Sequence, residues 1–208
     1  MLSNLSVNGN QKTLANKVSN TTVAPLVSPV SAEDLANYLG LSLPLSVADE
    51  SMLNGMLLAA SQYYIDYTNN ELLARDYTLR YDRYPERQVG YSGLGAMASS
   101  QAWWINFLVW PVAEVLSVSS ESGLIDFDDD LLSKPCRLFI SDRLVKDIII
   151  DYTAGYATAE EIPANAISGI LQMAAYLFEH RGGCDSQSAA MDSGALAMWG
   201  SINMITNI

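Results

Sequence analysis

The chain has 208 residues, of which 50% are hydrophobic and only 16% are charged. This length and apolar content are enough for one domain with a substantial core, with or without appendages. The balance of 23 Asp and Glu against 11 Lys and Arg gives a net charge of −12, which argues against a nucleic-acid-binding protein, because phosphate contacts are made by cations.

Residues 1–30 are predicted to form an N-terminal arm. The segment is rich in Ser, Asn, Thr and Val, has no helical period, and carries only two charged side chains, Lys12 and Lys17. Five apolar anchors distinguish it from a purely solvated tail: Leu2, Leu5, Val7, Leu14 and Val18. The arm is therefore either a disordered tail or a segment that becomes ordered against a neighbouring subunit.

Two helices are predicted next, over about residues 31–40 and 49–67. Ser31, with Asp34 three residues later, is close to a capping box, and Gly40 marks the end of the first helix. In the second helix, apolar residues recur every three or four positions, which predicts one buried face. These residues are Met52, Leu53, Met56, Leu57, Ala60, Tyr63, Tyr64 and Tyr67.

The period then changes to that of strands. Alternating apolar and polar residues predict a half-buried strand over about residues 75–82, and further strands are predicted over about 104–118 and 136–152. Residues 86–102 are rich in Gly, Ser and Ala. This composition indicates a long loop, and a long loop in a compact domain is usually functional or disordered.

A third long helix is predicted over about residues 163–181. Pro163 suits its first turn, where the missing N–H has no partner to lose, and Gly182 is a natural C-cap. Residues 31–183 form the predicted core domain, and 184–208 follow as a C-terminal tail. The predicted fold is α+β and mainly helical. It is a bundle of long helices, with a small antiparallel β-region inserted between the second and third helices and extended arms at both termini.

Two patterns resemble ligand sites but lack the required context. Residues 93–98 match a loose dinucleotide-binding pattern, yet no strand directly precedes it and no helix follows. Residues 126–130 carry aspartates at alternate positions, as in a calcium loop, but Leu131 and Arg137 stand where a glycine and a closing glutamate are needed. A solvated acidic turn is the simpler interpretation, with a weak adventitious cation site as the alternative. We expect no cofactor and no metal.

The sequence contains no recognisable set of catalytic residues. His180 is the only histidine, and although a pair with Cys136 or Cys184 is arithmetically possible, a histidine in the last turn of a helix more often interacts with the helix dipole. The two cysteines make neither a zinc pattern nor a disulfide framework, so both are expected to be thiols in a reducing cytoplasm. We find no signal peptide and no apolar run near the roughly 18 residues that a membrane helix needs. The chain is predicted not to be an enzyme and not to enter a membrane.

The remaining motifs stand in an order that points to one family. Trp110-Pro111-Val112 opens a strand, Tyr152-Thr153-Ala154-Gly155-Tyr156 ends the last strand, Ile162-Pro163 opens the third helix, and Glu179-His180-Arg181 closes it. In this order and spacing they resemble the head–tail connector (adaptor) family of tailed bacteriophages, over roughly residues 31–183. The long arm, the Gly-rich stretch and the long apolar C-terminus depart from the family pattern.

The resemblance implies a structural virion protein that takes part in virion assembly and DNA packaging. Members of the family form rings of about twelve copies beneath the capsid portal, which join it to the tail or its stopper and surround the DNA channel. The implied partners are further copies of the chain, the portal, and a tail or stopper protein. DNA passes through the lumen without sequence-specific binding. The implied location is the head–tail junction of the virion, after synthesis in the cytoplasm of a bacterial host.

Two sets of residues are candidates for contacts. C-terminal segments of the family commonly engage the portal, so the apolar end of the chain is the predicted partner interface: Met198, Trp199, Ile202, Met204 and Ile205. An acidic wall repels the phosphates of DNA, so that DNA passes through a channel without adhering to it. Four aspartates are therefore predicted to line the channel: Asp126, Asp128, Asp129 and Asp130. Two alternatives stay open. One is another neck component, such as a stopper or tail terminator, and the other is a small α+β ligand-binding or enzymatic domain.

Overall fold

The computed structural model describes residues 21–22, 26–83, 105–132, 136–140, 146–183 and 185–202. The predicted Gly-rich loop and most of the predicted N-terminal arm lie outside these residues. The structure has 42% helix and 28% strand, and the strands form two antiparallel sheets. The predicted mainly helical bundle of long helices is therefore wrong. Only two of the described helices exceed three turns, and the strands enclose a hydrophobic core of their own.

The described elements follow one another as a helical segment, a run of strands and a second helical segment. In chain order they are β1 (Thr21–Thr22), α1 (Ala32–Leu39), α2 (Val47–Thr68), β2 (Arg75–Arg83), β3 (Ile105–Asn106), β4 (Val112–Ser120), β5 (Gly123–Leu124), β6 (Phe127–Asp130), β7 (Arg137–Ile140), β8 (Lys146–Ala154), a 3-10 turn (Ala159–Glu161), α3 (Ala164–Glu179), α4 (Ser186–Asp192) and α5 (Ala195–Trp199). The larger sheet has the strand order β1-β2-β8-β4-β5, and the smaller one β3-β7-β6.

Side-chain caps set the bounds of the first two helices. Ser31 Oγ accepts a hydrogen bond from Asp34 N at 3.1 Å, and the Asp34 carboxylate accepts one from Ser31 N at 3.3 Å. The predicted capping box is thereby confirmed. Gly40, at φ +69°, ends α1 as predicted, because glycine adopts this left-handed conformation without strain. Ser46 caps α2, and Asn69 ends it in the left-handed region at φ +54°.

One compact unit contains all the described helices. It comprises the described parts of Thr22–Asp76, Leu108–Glu114 and Thr153–Ile208. Burial of apolar surface is the main force that holds such helices together. All five helices contribute wholly buried side chains, among them Leu35, Leu53, Leu57, Tyr64, Ile170, Met173, Ala174, Ala189 and Trp199. We call this part of the chain the helical unit.

The predicted extended C-terminal arm is also wrong as far as residue 202. Residues 186–199 form α4 and α5, which belong to the core of the helical unit. The reason is the small and apolar composition of their inner faces, because Ala189, Ala190, Ala195 and Trp199 are all buried. The segment thus buries its apolar surface within its own chain.

The second unit is made of strands and comprises the described parts of Met1–Thr21, Tyr77–Phe107 and Val115–Tyr152. Its buried side chains alternate along the strands, as the period of two requires. They include Tyr77, Leu79, Tyr81, Ile105, Phe107, Val118, Leu138, Ile148, Ile150 and Tyr152. The ring of Tyr152 lies 4.9 Å from that of Phe107 and 5.6 Å from that of Tyr77. Because these strands bury a core of their own, the β-region is a compact unit and not a minor insertion between helices. We call it the β unit.

A polar row crosses β2, β8 and β4 on the half-buried side of these strands. Asp151 stands in the middle and accepts hydrogen bonds from Thr78 Oγ1 at 2.8 Å and from Ser117 Oγ at 2.9 Å. Hydrogen bonds to a charged carboxylate are about twice as strong as neutral ones. The row therefore fixes the relative register of three neighbouring strands.

Candidate assembly surfaces

The Trp110-Pro111 motif is tied to the C-terminal end of α2. Glu71 N donates to Trp110 O at 2.6 Å, and Trp110 N donates to Asn69 O at 3.0 Å. Trp110 is buried, with 4% of its surface exposed. The motif thus anchors the segment that leads into β4.

The Gly155-Tyr156 motif joins the same place. Gly155 N donates to Pro111 O at 2.8 Å, and Tyr156 N donates to Leu72 O at 3.2 Å. Gly155 has φ +116°, and a Cβ there would lie 2.5 Å from the carbonyl carbon and oxygen of Leu73. Only glycine fits this turn. The two predicted motifs therefore form one hydrogen-bonded structural joint that lies within the helical unit.

A buried ion pair supports this joint. The Glu71 carboxylate is wholly buried, and Arg75 Nη1 donates to its Oε2 at 3.1 Å. Leu72 N donates to the other carboxylate oxygen at 3.0 Å. Burial raises the pKa of the nearby Tyr64 hydroxyl, and the charges of Tyr156 and Glu71 add to this shift. Burial also raises the pKa of Tyr156. Both phenols are neutral at physiological pH, which suits a structural role.

Trp199, a predicted interface residue, is wholly buried within its own chain. Its indole N–H donates to Ala166 O at 3.3 Å, and its ring lies 5.5 Å from that of Tyr64 and 6.2 Å from that of Tyr63. Gly169 supplies the space, because a Cβ there would overlap the indole ring. Trp199 therefore holds α5 against α2 and α3, and a partner cannot reach it in this fold.

The other predicted interface residues fall into two groups. Met198 and Ile202 are half-buried and pack against the core of the helical unit. Asn165 Nδ2 fixes the end of α5 by donating to Met198 O at 3.2 Å and to Ser201 Oγ at 2.8 Å. Met204 and Ile205 lie outside the described residues.

The predicted channel-lining aspartates lie along one edge strand. Asp126, Asp128 and Asp129 are exposed, and Asp130 is half-buried. Residues 127–130 form β6, which pairs with β7 and places Asp130 opposite Arg137. The predicted acidic turn is therefore wrong, because the backbone of these residues pairs in a ladder. Charges on an edge strand also oppose pairing with strands of other chains.

An apolar surface that sequence reasoning missed lies at the connection between α1 and α2. Tyr38, Leu43 and Val47 are 54%, 43% and 85% exposed. Their neighbours Leu39, Leu41 and Leu45 instead pack against the core of the helical unit. No sequence signal marks this surface: apolar residues alternate from 41 to 47, and positions two apart are expected on one side of an extended segment, whereas here they divide between an inner and an outer side. We call Tyr38, Leu43 and Val47 the α1–α2 surface.

The helical unit carries nearly the whole net charge. Its sequence holds thirteen Asp and Glu against two Arg, which gives −11 of the −12 of the chain. All of these acids are exposed except Glu71. Of the two arginines, Arg75 pairs with Glu71, and Arg181 lies over the ring of Phe178 at 3.9 Å. The surface of this unit is therefore almost uniformly anionic.

His180 and Cys136 occupy structural positions. His180 stacks on Tyr176 with ring centroids 4.0 Å apart. The Cys136 thiol is buried and donates to Leu131 O at 3.3 Å, whereas Cys184 lies outside the described residues. Among the residues that the structure describes, no three His, Cys, Asp or Glu side chains are grouped as a metal site. No helix in the described ranges is long and apolar enough to cross a membrane.

Comparisons with known proteins identify the fold. No family model and no curated protein matches this sequence. Among solved structures, a chain from the neck of an empty gene transfer agent (GTA) particle, computed with C6 symmetry, has a TM-score of 0.68 at 16% identity, over 91% of this chain and 97% of that chain. A chain from the neck of the native GTA particle, computed with C12 symmetry, gives 0.63 at 16% identity with the same coverage. A chain from the native GTA virion gives 0.61 at 17% identity, again over 91% and 97%.

The chain therefore has the fold of a chain from the neck of a phage-like particle. For the fold, this confirms the resemblance to head–tail connectors that the order of the sequence motifs indicated.

Proposed function

We propose that this chain is a structural subunit of a virion neck, which forms a ring between the capsid portal and the tail or its stopper. The observation that carries the proposal is the likeness of fold to neck chains, which spans 91% of this chain and 97% of the other. The likeness therefore extends over the whole of both chains and is not limited to a shared motif. The symmetries of those neck structures, C6 and C12, support a ring of about twelve copies around the DNA channel.

The helix content favours a connector over the alternative neck roles. A stopper or tail terminator is expected to be more purely β, whereas this structure has 42% helix. The experiment that tests the proposal is native mass spectrometry of the purified chain, alone and mixed with its portal. We expect a closed oligomer of defined copy number that adds to the portal. A chain that stays monomeric under both conditions would contradict the proposal.

The proposed contact with the portal is the C-terminal end. Trp199 belongs to the core, so the contact is assigned to Met204 and Ile205, with Met198 and Ile202 beside them. Truncation after Ile202 keeps Trp199 and therefore tests the contact without removing α5. We expect the truncated chain to lose co-purification with the portal while its melting temperature is unchanged. Undiminished portal binding would refute this assignment.

The proposed channel lining is the acidic edge of the β unit. Asp126, Asp128 and Asp129 are exposed, so their carboxylates can face DNA and repel its phosphates. Changing all three to Lys should make an assembled ring retain a short DNA duplex at low salt, whereas the native ring should not. The matched control is Glu160→Lys with Glu161→Lys, which adds positive charge to exposed positions of the helical unit. Equal retention by both variants would contradict the assignment to β6.

A further inference from the structure

The α1–α2 surface combines exposed apolar side chains with an uncompensated negative rim. Val47 is the first residue of α2 and is 85% exposed, and Asp49 and Glu50 are exposed in the same turn. No lysine or arginine occurs between Lys17 and Arg75. The negative rim formed by Asp49 and Glu50 therefore has no lysine or arginine near it in the sequence. Such a surface suits a segment that offers apolar anchors and positive charge.

The first 20 residues of the chain have this chemistry. Residues 1–32 are the longest stretch without Asp or Glu, and they contain Lys12 and Lys17. The apolar residues are spread along the segment, at Leu2, Leu5, Val7, Leu14 and Val18. Residues 1–20 thus carry a positive charge on a chain whose helical unit has a net charge of −11.

The start of the described chain fixes where this segment is attached. Thr21–Thr22 form β1 at the edge of the larger sheet, next to β2. Leu26 then packs against the helical core, and Ser61 Oγ, in the C-terminal half of α2, donates to Ser28 Oγ at 3.4 Å. Twenty extended residues reach roughly 65 Å, whereas α2 is about 33 Å long. The segment is therefore long enough to extend beyond its own subunit.

We propose that residues 1–20 of one copy dock on the α1–α2 surface of the neighbouring copy, an inference that rests on the proposed ring. Two copies that each carry −12 repel one another. A contact between the positive segment of one copy and the negative helical unit of the next offsets part of this repulsion. The apolar residues of the segment cover Tyr38, Leu43 and Val47, which would otherwise stay exposed to water.

Photo-cross-linking of the full-length chain tests this contact. The benzophenone amino acid p-benzoylphenylalanine replaces Leu43 in one variant and Val47 in a second, both at exposed positions. Rings are assembled in the presence of the portal from equal amounts of ¹⁵N-labelled and unlabelled protein, irradiated and digested, and the peptides are identified by mass spectrometry. We expect cross-links to residues 1–20, with mixed-isotope pairs as frequent as same-isotope pairs. The matched control places the probe at Met191, which is 59% exposed on α4, and should give no cross-link to this segment.

Charge reversal separates this docking from an incidental encounter. Lys12→Glu with Lys17→Glu should lower the cross-link yield at Leu43 severalfold, and added salt should lower the native yield, because screening weakens exposed charge pairs. Cross-links confined to same-isotope pairs, cross-links only to the portal or the β unit, or none in assembled rings would each overturn the inference and leave the ring intact. Absence of rings before irradiation would overturn the proposed function, and this inference with it.

Discussion

Gly155 illustrates how one residue determines the joint at the end of α2. Its φ of +116° belongs to the region that side chains with a Cβ rarely adopt, and the backbone of Leu73 occupies the space that a Cβ would need. Its N–H also donates to Pro111 O at 2.8 Å. Conformation, space and hydrogen bonding therefore all require glycine here.

Gly155→Ala should lower the free energy of unfolding by about 3 kcal/mol or more, because a steric clash with backbone adds to the conformational strain. The control is Gly182→Ala, since Gly182 also has a positive φ, +83°, but no atom lies within 4 Å of the position that a Cβ would take there. This control should cost about 1–2 kcal/mol. Urea unfolding followed by circular dichroism measures both. Equal losses for the two variants would show that close packing at Gly155 contributes nothing.

The buried hydroxyl of Tyr81 should make the stability of the fold depend on pH. Burial raises the pKa of Tyr81 to about 12, and its hydroxyl donates to Asn106 O at 3.2 Å. The folded state favours the neutral phenol, so this contribution to stability is fully present below the unfolded pKa of about 10 and is lost as the pH rises from about 10 to 12.

Tyr81→Phe should cost about 1 kcal/mol at neutral pH, from the lost hydrogen bond, and should reduce the alkaline loss of stability by ~2 kcal/mol. Unfolding free energies measured in urea at about pH 8 and about pH 11.5, on either side of the unfolded pKa, give the comparison. Tyr38→Phe is the control, because Tyr38 is exposed. If Tyr81→Phe loses as much stability as the native chain between these pH values, the buried phenol is not responsible.

At the scale of residues, local sequence rules identified what depends on near neighbours. The capping box of Ser31 and Asp34 and the end of α1 at Gly40 follow from positions a few residues apart. The backbone pairing of Glu71 with Trp110 does not follow from such rules, because the two residues are far apart in the sequence.

The C-terminal helices depend on one side chain. Trp199 fills the space above Gly169 and contacts the rings of Tyr63, Tyr64 and Tyr67. Without it, Ala195 is the one wholly buried side chain left in α5, beside the partly buried Leu196 and Met198. The apolar composition of this end is thus explained by the core of the subunit as far as Ile202.

Trp199→Ala should destabilise the chain by about 3–5 kcal/mol, as expected for a large aromatic side chain removed from a core. Met191→Ala, at an exposed site on α4, should change stability by less than about 0.5 kcal/mol. Thermal or urea unfolding checks both. A small effect at Trp199 would mean that α5 is not part of the folded core and would return this residue to the proposed partner interface.

At the scale of elements, periodicity predicted the long helices and the strand regions better than the short elements. In α2 the buried face includes Ser61 and Thr68, which do not fit the apolar pattern, whereas Tyr67 is 37% exposed. Hydrogen bonding permits this, since Thr68 Oγ1 donates to Tyr64 O at 2.8 Å. In α4 and α5, seven and five residues are too few to show a period. The sequence pattern of these residues therefore indicates a tail, although they form helices.

At the scale of the whole molecule, the separation of charge could not be read from the chain in order. The helical unit is assembled from three separate segments, so its net charge of −11 appears only once those segments are brought together. The order of the motifs, by contrast, was sufficient to indicate the connector fold. The α1–α2 surface could not be predicted because exposure depends on which side of a loop faces the core.

The central claim is that copies of this chain close into a ring on the portal. Electron microscopy of the purified chain mixed with its portal tests it most directly. We expect a single closed ring, coaxial with the portal and surrounding an open channel, with about twelve copies, by analogy with the C12 neck. Portal particles that remain bare, or that bind isolated copies without ring closure, would contradict it.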